Sequence, residues 1–146
     1  MGERSFTEEL REEGFDIEKA FLYCMNDESF YRTVLNSYLA ASAEKRAGIE
    51  RYFAEENWKE YQTLVHSLKS SSRTIGLEKL SEMAYVQEQA AKAADADTIR
   101  SGYAALLEEY VRVTGVIERV LGPAGGAAPQ ETAQPGGGVV LEFKPE

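Results

Sequence analysis

His66-Ser67-Leu68-Lys69-Ser70-Ser71-Ser72-Arg73-Thr74-Ile75-Gly76 lies inside a strongly periodic segment, and His66 is the chain's one histidine. At about 100° per residue, Tyr61, Leu64, Val65, Leu68 and Ile75 fall on one side of a helix. Lys59, Gln62, Thr63, His66, Lys69, Ser70 and Arg73 fall on the other. The wheel sets His66 almost diametrically across from the centre of the apolar stripe, so it does not read as a core residue. An imidazole on the solvent face of a packed helix, with a lysine one turn on, is placed to exchange a group with a partner protein. Metal ligation is a poor alternative, because one His and one Cys on different segments do not make a zinc site.

The neighbouring segments are helical as well. Glu55-Glu56-Asn57 reads as a break, so the His66 helix runs from about Trp58 to Ile75, and Gly76 is suited to end it. Another helix starts at once, with Leu77, Leu80, Met83, Ala84, Gln87 and Ala91 inward. Asp95-Ala96-Asp97 caps the last long helix, whose stripe is Ile99, Tyr103, Leu106, Tyr110, Val113, Ile117 and Val120. Its alternating steps of four and three are the strongest pattern in the chain and imply near-antiparallel packing. Upstream, Asp16 is a plausible N-cap for a short helix carrying Ile17, Ala20, Phe21, Cys24 and Met25. Asn26-Asp27 punctuates, and a helix with Phe30, Tyr31, Val34, Leu35, Tyr38 and Leu39 follows. Ser42 is read as the cap of a further helix through Ala47, Ile49, Tyr52 and Phe53. No alternating strand pattern occurs before residue 138. The expected fold is all-α: an up-down-type four-helix bundle with short additional N-terminal helices.

Residues 1–14, where Glu8, Glu9, Glu12 and Glu13 surround Phe6 and Leu10, read as an acidic lead-in, either a short helix or a frayed end. The bundle domain is expected over 15–121. Pro123, after Gly122, is expected to stop the last helix. Residues 122–146 then read as a flexible Gly/Pro/Ala-rich tail ending in the short apolar run Val139–Phe143. That run reads as a disordered end or as a peptide that adds to a partner's sheet or groove. A length of 146 residues suits one domain plus such a tail. The net charge of −9 argues against nucleic-acid binding, which needs a basic face. No stretch approaches the roughly 18 consecutive apolar residues of a membrane span. Met1-Gly2-Glu3-Arg4 opens no secretory signal, so a cytoplasmic protein is expected. Cys24 cannot form an internal disulfide and is expected to be buried.

The His66–Gly76 stretch resembles the motif of histidine-containing phosphotransfer (HPt) domains. That motif is roughly His-x-Leu-Lys-Gly, five variable and mostly small residues, then Gly. His66, Leu68, Lys69 and Gly76 match it in identity and spacing. The run Leu77, Leu80, Met83, Ala84, Gln87, Glu88 and Ala91 is similar to the family's next helix, and the Asn57-Trp58 opening is similar too. The resemblance covers about residues 15–121. It implies a four-helix bundle whose exposed His66 accepts a phosphoryl group from a receiver-domain aspartate and passes it to another receiver. It implies Lys69 as the charge neighbour of the phosphate, no cofactor bound by this chain, and Mg²⁺ on the partner receiver. Imidazole, with a reference pKa near 6.5, is a competent nucleophile at neutral pH.

Receiver domains or a hybrid histidine kinase are the implied partners, with the chain expected to be monomeric. Gln62, Ser70, Arg73 and Glu88 are assigned to the docking face. Glu88 matches a polar position that can approach the histidine across the helix pair and fix its tautomer; a plain surface glutamate is the competing reading. Two residues depart from the family pattern. Ser70 stands where Gly is usual, and Arg73 stands where a small residue is preferred. They bear on partner choice more than on fold. The alternative function is a helical adaptor that binds receivers without accepting phosphate. A histidine kinase is disfavoured, since residues 1–121 offer no glycine-rich nucleotide site and Ser67 stands where such kinases carry an acidic residue. The linker and tail would also suit an interdomain joint of a larger hybrid kinase.

Overall fold

The computed structural model describes residues 5–127, and among them there are six helices and no strand. They are α1 (Phe6–Glu12), α2 (Ile17–Tyr23), α3 (Glu28–Glu55), α4 (Trp58–Thr74), α5 (Glu78–Lys92) and α6 (Ala96–Ala127). Short polar side chains start most of them by taking an otherwise unpaired amide. Asp16 accepts from the Lys19 amide, Asp27 from Phe30, Asn57 from Glu60 and Asp95 from Thr98. Ser5 and Glu8 form a reciprocal capping box at α1.

The four long helices pack in a ring, α3 on α4, α4 on α5, α5 on α6 and α6 back on α3. The two- and three-residue connections at 56–57, 75–77 and 93–95 make consecutive helices antiparallel, as in an up-down bundle. Tyr31, Leu35, Ile49, Tyr61, Val65, Leu68, Leu80, Ile99, Leu106 and Ile117 fill the interior. Phe53, Trp58, Tyr61 and Tyr103 cluster near the end where α4 begins; the Phe53 and Tyr103 rings stack with centroids 3.5 Å apart.

The other end is closed by the N-terminal helices. The Asp16 amide donates to Gly76 O at 2.8 Å, and the Tyr31 hydroxyl donates to Ile75 O at 3.0 Å. Gly76 has φ +91, and a Cβ on it would stand 2.6 Å from Asp16 O. The α4–α5 turn therefore requires glycine both for its backbone and for the chain laid across it. Leu10 of α1 is fully buried, and Glu13 pairs with Arg112 and Arg119 of α6. The acidic lead-in thus joins the bundle from Ser5 onward.

Two expectations are corrected. Ser42 caps nothing: α3 runs unbroken for 28 residues, and the Ser42 hydroxyl donates to Leu39 O at 2.7 Å, within the preceding turn. The stretch 40–48 carries no buried apolar residue, and α4 comes close at its end, where a Cβ on Gly48 would meet Leu64 Cδ1 at 2.8 Å. Pro123 does not stop the last helix. Gly122 breaks it, with φ 76 and ψ 174, and helical backbone resumes from Pro123 to Ala127. Proline fixes φ near the helical value and suits a first turn. The expected linker beyond that point and the Val139–Phe143 segment lie outside the described residues.

Candidate functional site

The segment of α4 around His66 is fixed by α5 and α3. The Tyr61 hydroxyl donates to Gln87 Oε1 in the core, and Gln87 Nε2 donates to Thr98 O at 3.5 Å. Gly102 leaves the space this amide occupies, since a Cβ there would lie 2.6 Å from Gln87 Nε2. One face further on, the Ser81 hydroxyl of α5 donates to Lys69 O at 3.0 Å, and Tyr38 of α3 shares a 2.8 Å hydrogen bond with buried Ser72. These contacts hold α4 against α5 and α3 over the segment that carries His66, and Gln87 ties α5 on to α6. Serine in the 70–72 run is small enough to permit the approach: Ser72 is fully buried and Ser71 half-buried.

His66 stands on the rim of the α4–α5 contact with its side chain 57% exposed. Its Nδ1 lies 2.7 Å from Glu88 Oε2. Glu88, projecting from α5, is only 5% exposed, and its other oxygen, Oε1, lies 2.8 Å from Lys69 Nζ. One buried carboxylate therefore bridges the histidine and the lysine. Burial pushes the Glu88 carboxyl upward, but hydrogen bonds from Lys69 and His66, with their charges, outweigh it and hold the group below its ordinary range. An ionised carboxylate only accepts hydrogen bonds. In the neutral imidazole the one proton accordingly sits on Nδ1, facing Glu88, and Nε2 carries the lone pair.

His66, Lys69 and Glu88 are thus brought together, while the remaining sequence-selected residues are spread around them. Gln62 is half-buried one turn before His66. Ser70 and Arg73 are exposed, and among the described residues the Arg73 side chain has no ion pair. Lys69, on the polar side of the wheel, is only 16% exposed, because α5 lies along that flank of α4. Glu88 approaches the histidine across the helix pair and is buried there, so it is neither a plain surface glutamate nor part of an exposed docking face.

Residues not singled out from sequence also border the site. Tyr85 of α5 sits with its ring centroid 5.5 Å from Lys69 Nζ. Its spacing, four after Ser81 and three before Glu88, puts it on the α5 face turned to α4, and that spacing was the available signal. On the other flank Lys45 of α3 donates to the Ser67 hydroxyl at 2.8 Å, and its burial pushes the ammonium downward from its ordinary value. Nothing local in the sequence ties Lys45 to Ser67, 22 residues away.

His66 thus has one nitrogen tied back to Glu88 and a side chain largely open to solvent, on a ring of four helices. The sequence model of the Hpt domain matches residues 33–121. The chain belongs to the Hpt domain family. Hpt domains serve histidine phosphotransfer in two-component phosphorelays, where they interact with receiver domains and histidine kinases. The match begins inside α3, so α1 and α2, which close the lower end of this Hpt domain, lie outside it. No curated protein and no solved structure matches the chain. No helix among the described residues is long and apolar enough to cross a membrane. Among the same residues, no group of three or more His, Cys, Asp or Glu side chains is placed to hold a metal ion.

Proposed function

We infer that this Hpt domain is a phosphorelay intermediary that takes a phosphoryl group from a receiver aspartate onto His66 Nε2 and gives it to a second receiver. The observation that carries the reading is the bridge His66–Glu88–Lys69, with Nδ1 held at 2.7 Å and most of the ring open to solvent. In the forward step the Nε2 lone pair attacks phosphorus. The bond from phosphorus to the aspartyl oxygen breaks, and the aspartate carboxylate leaves with the electron pair. The Nδ1 proton stays in place, and the Glu88 carboxylate offsets the positive charge that the ring gains. Return to a receiver reverses these events.

Phosphoryl transfer asks mainly for in-line positioning and charge neutralisation. Lys69 supplies a cation beside the incoming group without a large movement, since its head already lies against Glu88. The Mg²⁺ that screens the phosphate belongs, on this reading, to the acidic pocket of the partner receiver. The chain works as a monomer, with Gln62, Ser70 and Arg73 on the surface that the receiver covers. Small Ser70 leaves that approach open.

The test is to present the purified chain with a phosphorylated receiver. Labelling is expected to be acid-labile and alkali-stable, and His66→Gln is expected to abolish it while leaving the helical CD spectrum and melting unchanged. An acid-stable label that persists in His66→Gln would overturn the reading. Receiver binding without any transfer would make the chain an adaptor.

A further inference from the structure

We propose that Tyr85 is a positioning residue for phosphotransfer, acting through Lys69. The inference rests on the reading of His66 as phosphoacceptor and Lys69 as its charge neighbour, and adds a residue to it. Lys69 has a flexible four-carbon stem and rises from an exposed rim, yet only 16% of its side chain is exposed. Two groups hold its head. Glu88 Oε1 lies 2.8 Å away, and the Tyr85 ring lies with its centroid 5.5 Å from Nζ, within the range of a cation–π contact. Tyr85 itself is 42% exposed, with no hydrogen bond to its hydroxyl among the described residues. A large aromatic left half in solvent beside the reactive histidine gains little for the core.

The two holders differ in what they do to the lysine's charge. Glu88 neutralises it. The ring attracts it without carrying a formal negative charge, so Tyr85 confines the ammonium without competing strongly with a phosphate dianion. When the phosphoryl group reaches Nε2, Lys69 can turn part of its interaction from Glu88 to phosphate while the ring still limits where the stem goes. Without the ring the stem has more rotamers in solvent, and the cation must be recruited at the moment of transfer. Preorganised charge is the form of stabilisation that transfer can use.

The experiment compares single-turnover transfer from a phosphorylated receiver to wild type, Tyr85→Leu, Tyr85→Phe, Lys69→Ala and Lys69→Ala/Tyr85→Leu, with melting curves for each. Tyr85→Leu is expected to slow transfer about two- to fivefold, the span of an exposed cation–π contact. Tyr85→Phe is expected to restore the wild-type rate, because the ring and not the hydroxyl acts. In the Lys69→Ala background, Tyr85→Leu is expected to add nothing, and receiver affinity is expected to be the same for all single Tyr85 variants. If Tyr85→Leu slows transfer further on top of Lys69→Ala, or weakens receiver binding, Tyr85 acts by touching the receiver and the proposal falls. It also falls if Lys69→Ala slows transfer and Tyr85→Leu does not, an outcome that leaves the function of Lys69 standing. An unchanged rate in Lys69→Ala removes the underlying reading of Lys69. Should leucine disturb the fold, Tyr85→Met at the same position carries the test, with Tyr85→Phe as its control.

Discussion

Two carboxylates in this bundle are buried against basic side chains, and they do different things. Glu109 on α6 is about 10% exposed and receives Arg112 as a fork, with Nε at 3.1 Å from one oxygen and Nη2 at 2.9 Å from the other. Arg112 also donates to the Glu13 main-chain carbonyl at 3.2 Å and to its carboxylate at 3.3 Å, and Arg119 donates to the other oxygen of that carboxylate at 3.2 Å. Lys79 stands at 3.8 Å on the far side. Glu88 has similar burial and two basic neighbours, one a lysine and one an imidazole, and each oxygen serves a different one, Lys69 or His66. A planar guanidinium on both oxygens is always charged and geometrically locked. It makes a staple, here between α6 and the segment joining α1 to α2. An imidazole on a single oxygen keeps a second nitrogen free. On the function proposed above, it makes a reactive group held in one orientation, and partner chemistry rather than burial separates the two sites.

The largest expected effect that sharpens this contrast comes from Glu88→Ala. It removes the acceptor that fixes the Nδ1 proton and leaves Lys69 without its counter-charge. A hydrogen bond involving a charged group is worth about 1.5–3 kcal/mol, so transfer to His66 should slow roughly tenfold to a hundredfold. Glu88→Gln keeps an acceptor oxygen and should lie between. Single-turnover transfer from a phosphorylated receiver measures both, and a wild-type rate in Glu88→Ala would mean that the bridge is only structural.

The converse is Arg112→Ala. It strips the fork from Glu109 and detaches Glu13, so the bundle should lose about 1–2 kcal/mol, a figure kept low because Arg112 is itself half-exposed. Urea unfolding reads the loss. Transfer should match wild type, since α1 and α2 close the end of the bundle where α4 finishes and His66 stands at mid-helix. A slowed transfer at preserved stability would break the division between staple and site.

How far the sequence carried this picture depends on the range of the interaction. The stop at Gly76, the Asp16 cap, the break at Asn57, the α6 stripe and the exposure of His66 are all set by a few neighbouring residues, and they were legible. The continuity of α3 was not. Its stripe of buried apolar residues lapses over 40–48, and a neighbour packed at the end of that stretch, Leu64 beside Gly48, is 16 residues away in the chain. The place of α1 was also hidden, since Leu10 is buried by residues near the other end of the chain and its acidic neighbours dominate the local pattern. At the site, the wheel correctly turned His66 outward but treated α4 as if it had one neighbour. The flank it gave to solvent is the one α5 covers, which is why Lys69 and Glu88 lie deeper than expected and Tyr85 escaped notice.

Both carboxylates should also be visible in the acid limb of stability, a smaller effect. Hydrogen bonding from Arg112 holds Glu109 below the ordinary glutamate value of 4.5, against the upward push of burial. Glu88 is held down as well, although burial there is the largest single influence and acts upward. A carboxyl with a lowered folded pKa binds fewer protons in the native state than in the unfolded one. Its contribution to stability is complete above the unfolded value and is lost as pH falls through the folded one. Wild type should therefore lose stability below about pH 4.5, and Arg112→Ala should show a shallower loss over the same window. Unfolding free energies measured from about pH 6 to pH 3 test this; parallel curves would show that Arg112 does not set the Glu109 titration.

The smallest expected effect concerns an arginine without a staple. Arg112 is forked onto a buried carboxylate, whereas Arg73 is exposed and has no ion pair among the described residues. It rises from the same side of α4 as His66, about two turns on, where the family prefers a small residue. Its charge is thus available to a partner. An acidic receiver pocket should be drawn toward it over a distance that salt shortens, with a Debye length near 10 Å at 0.1 M. Its bulk should hinder receivers that need a flat surface there. Arg73→Ala should leave stability within about 0.5 kcal/mol of wild type, the usual range for an exposed change. It should flatten the salt dependence of association and reorder a panel of receivers without slowing all of them alike. Stopped-flow transfer at two ionic strengths separates the outcomes. Equal salt slopes and an unchanged ranking would show that an unpaired arginine beside the histidine is as silent toward receivers as the stapled Arg112.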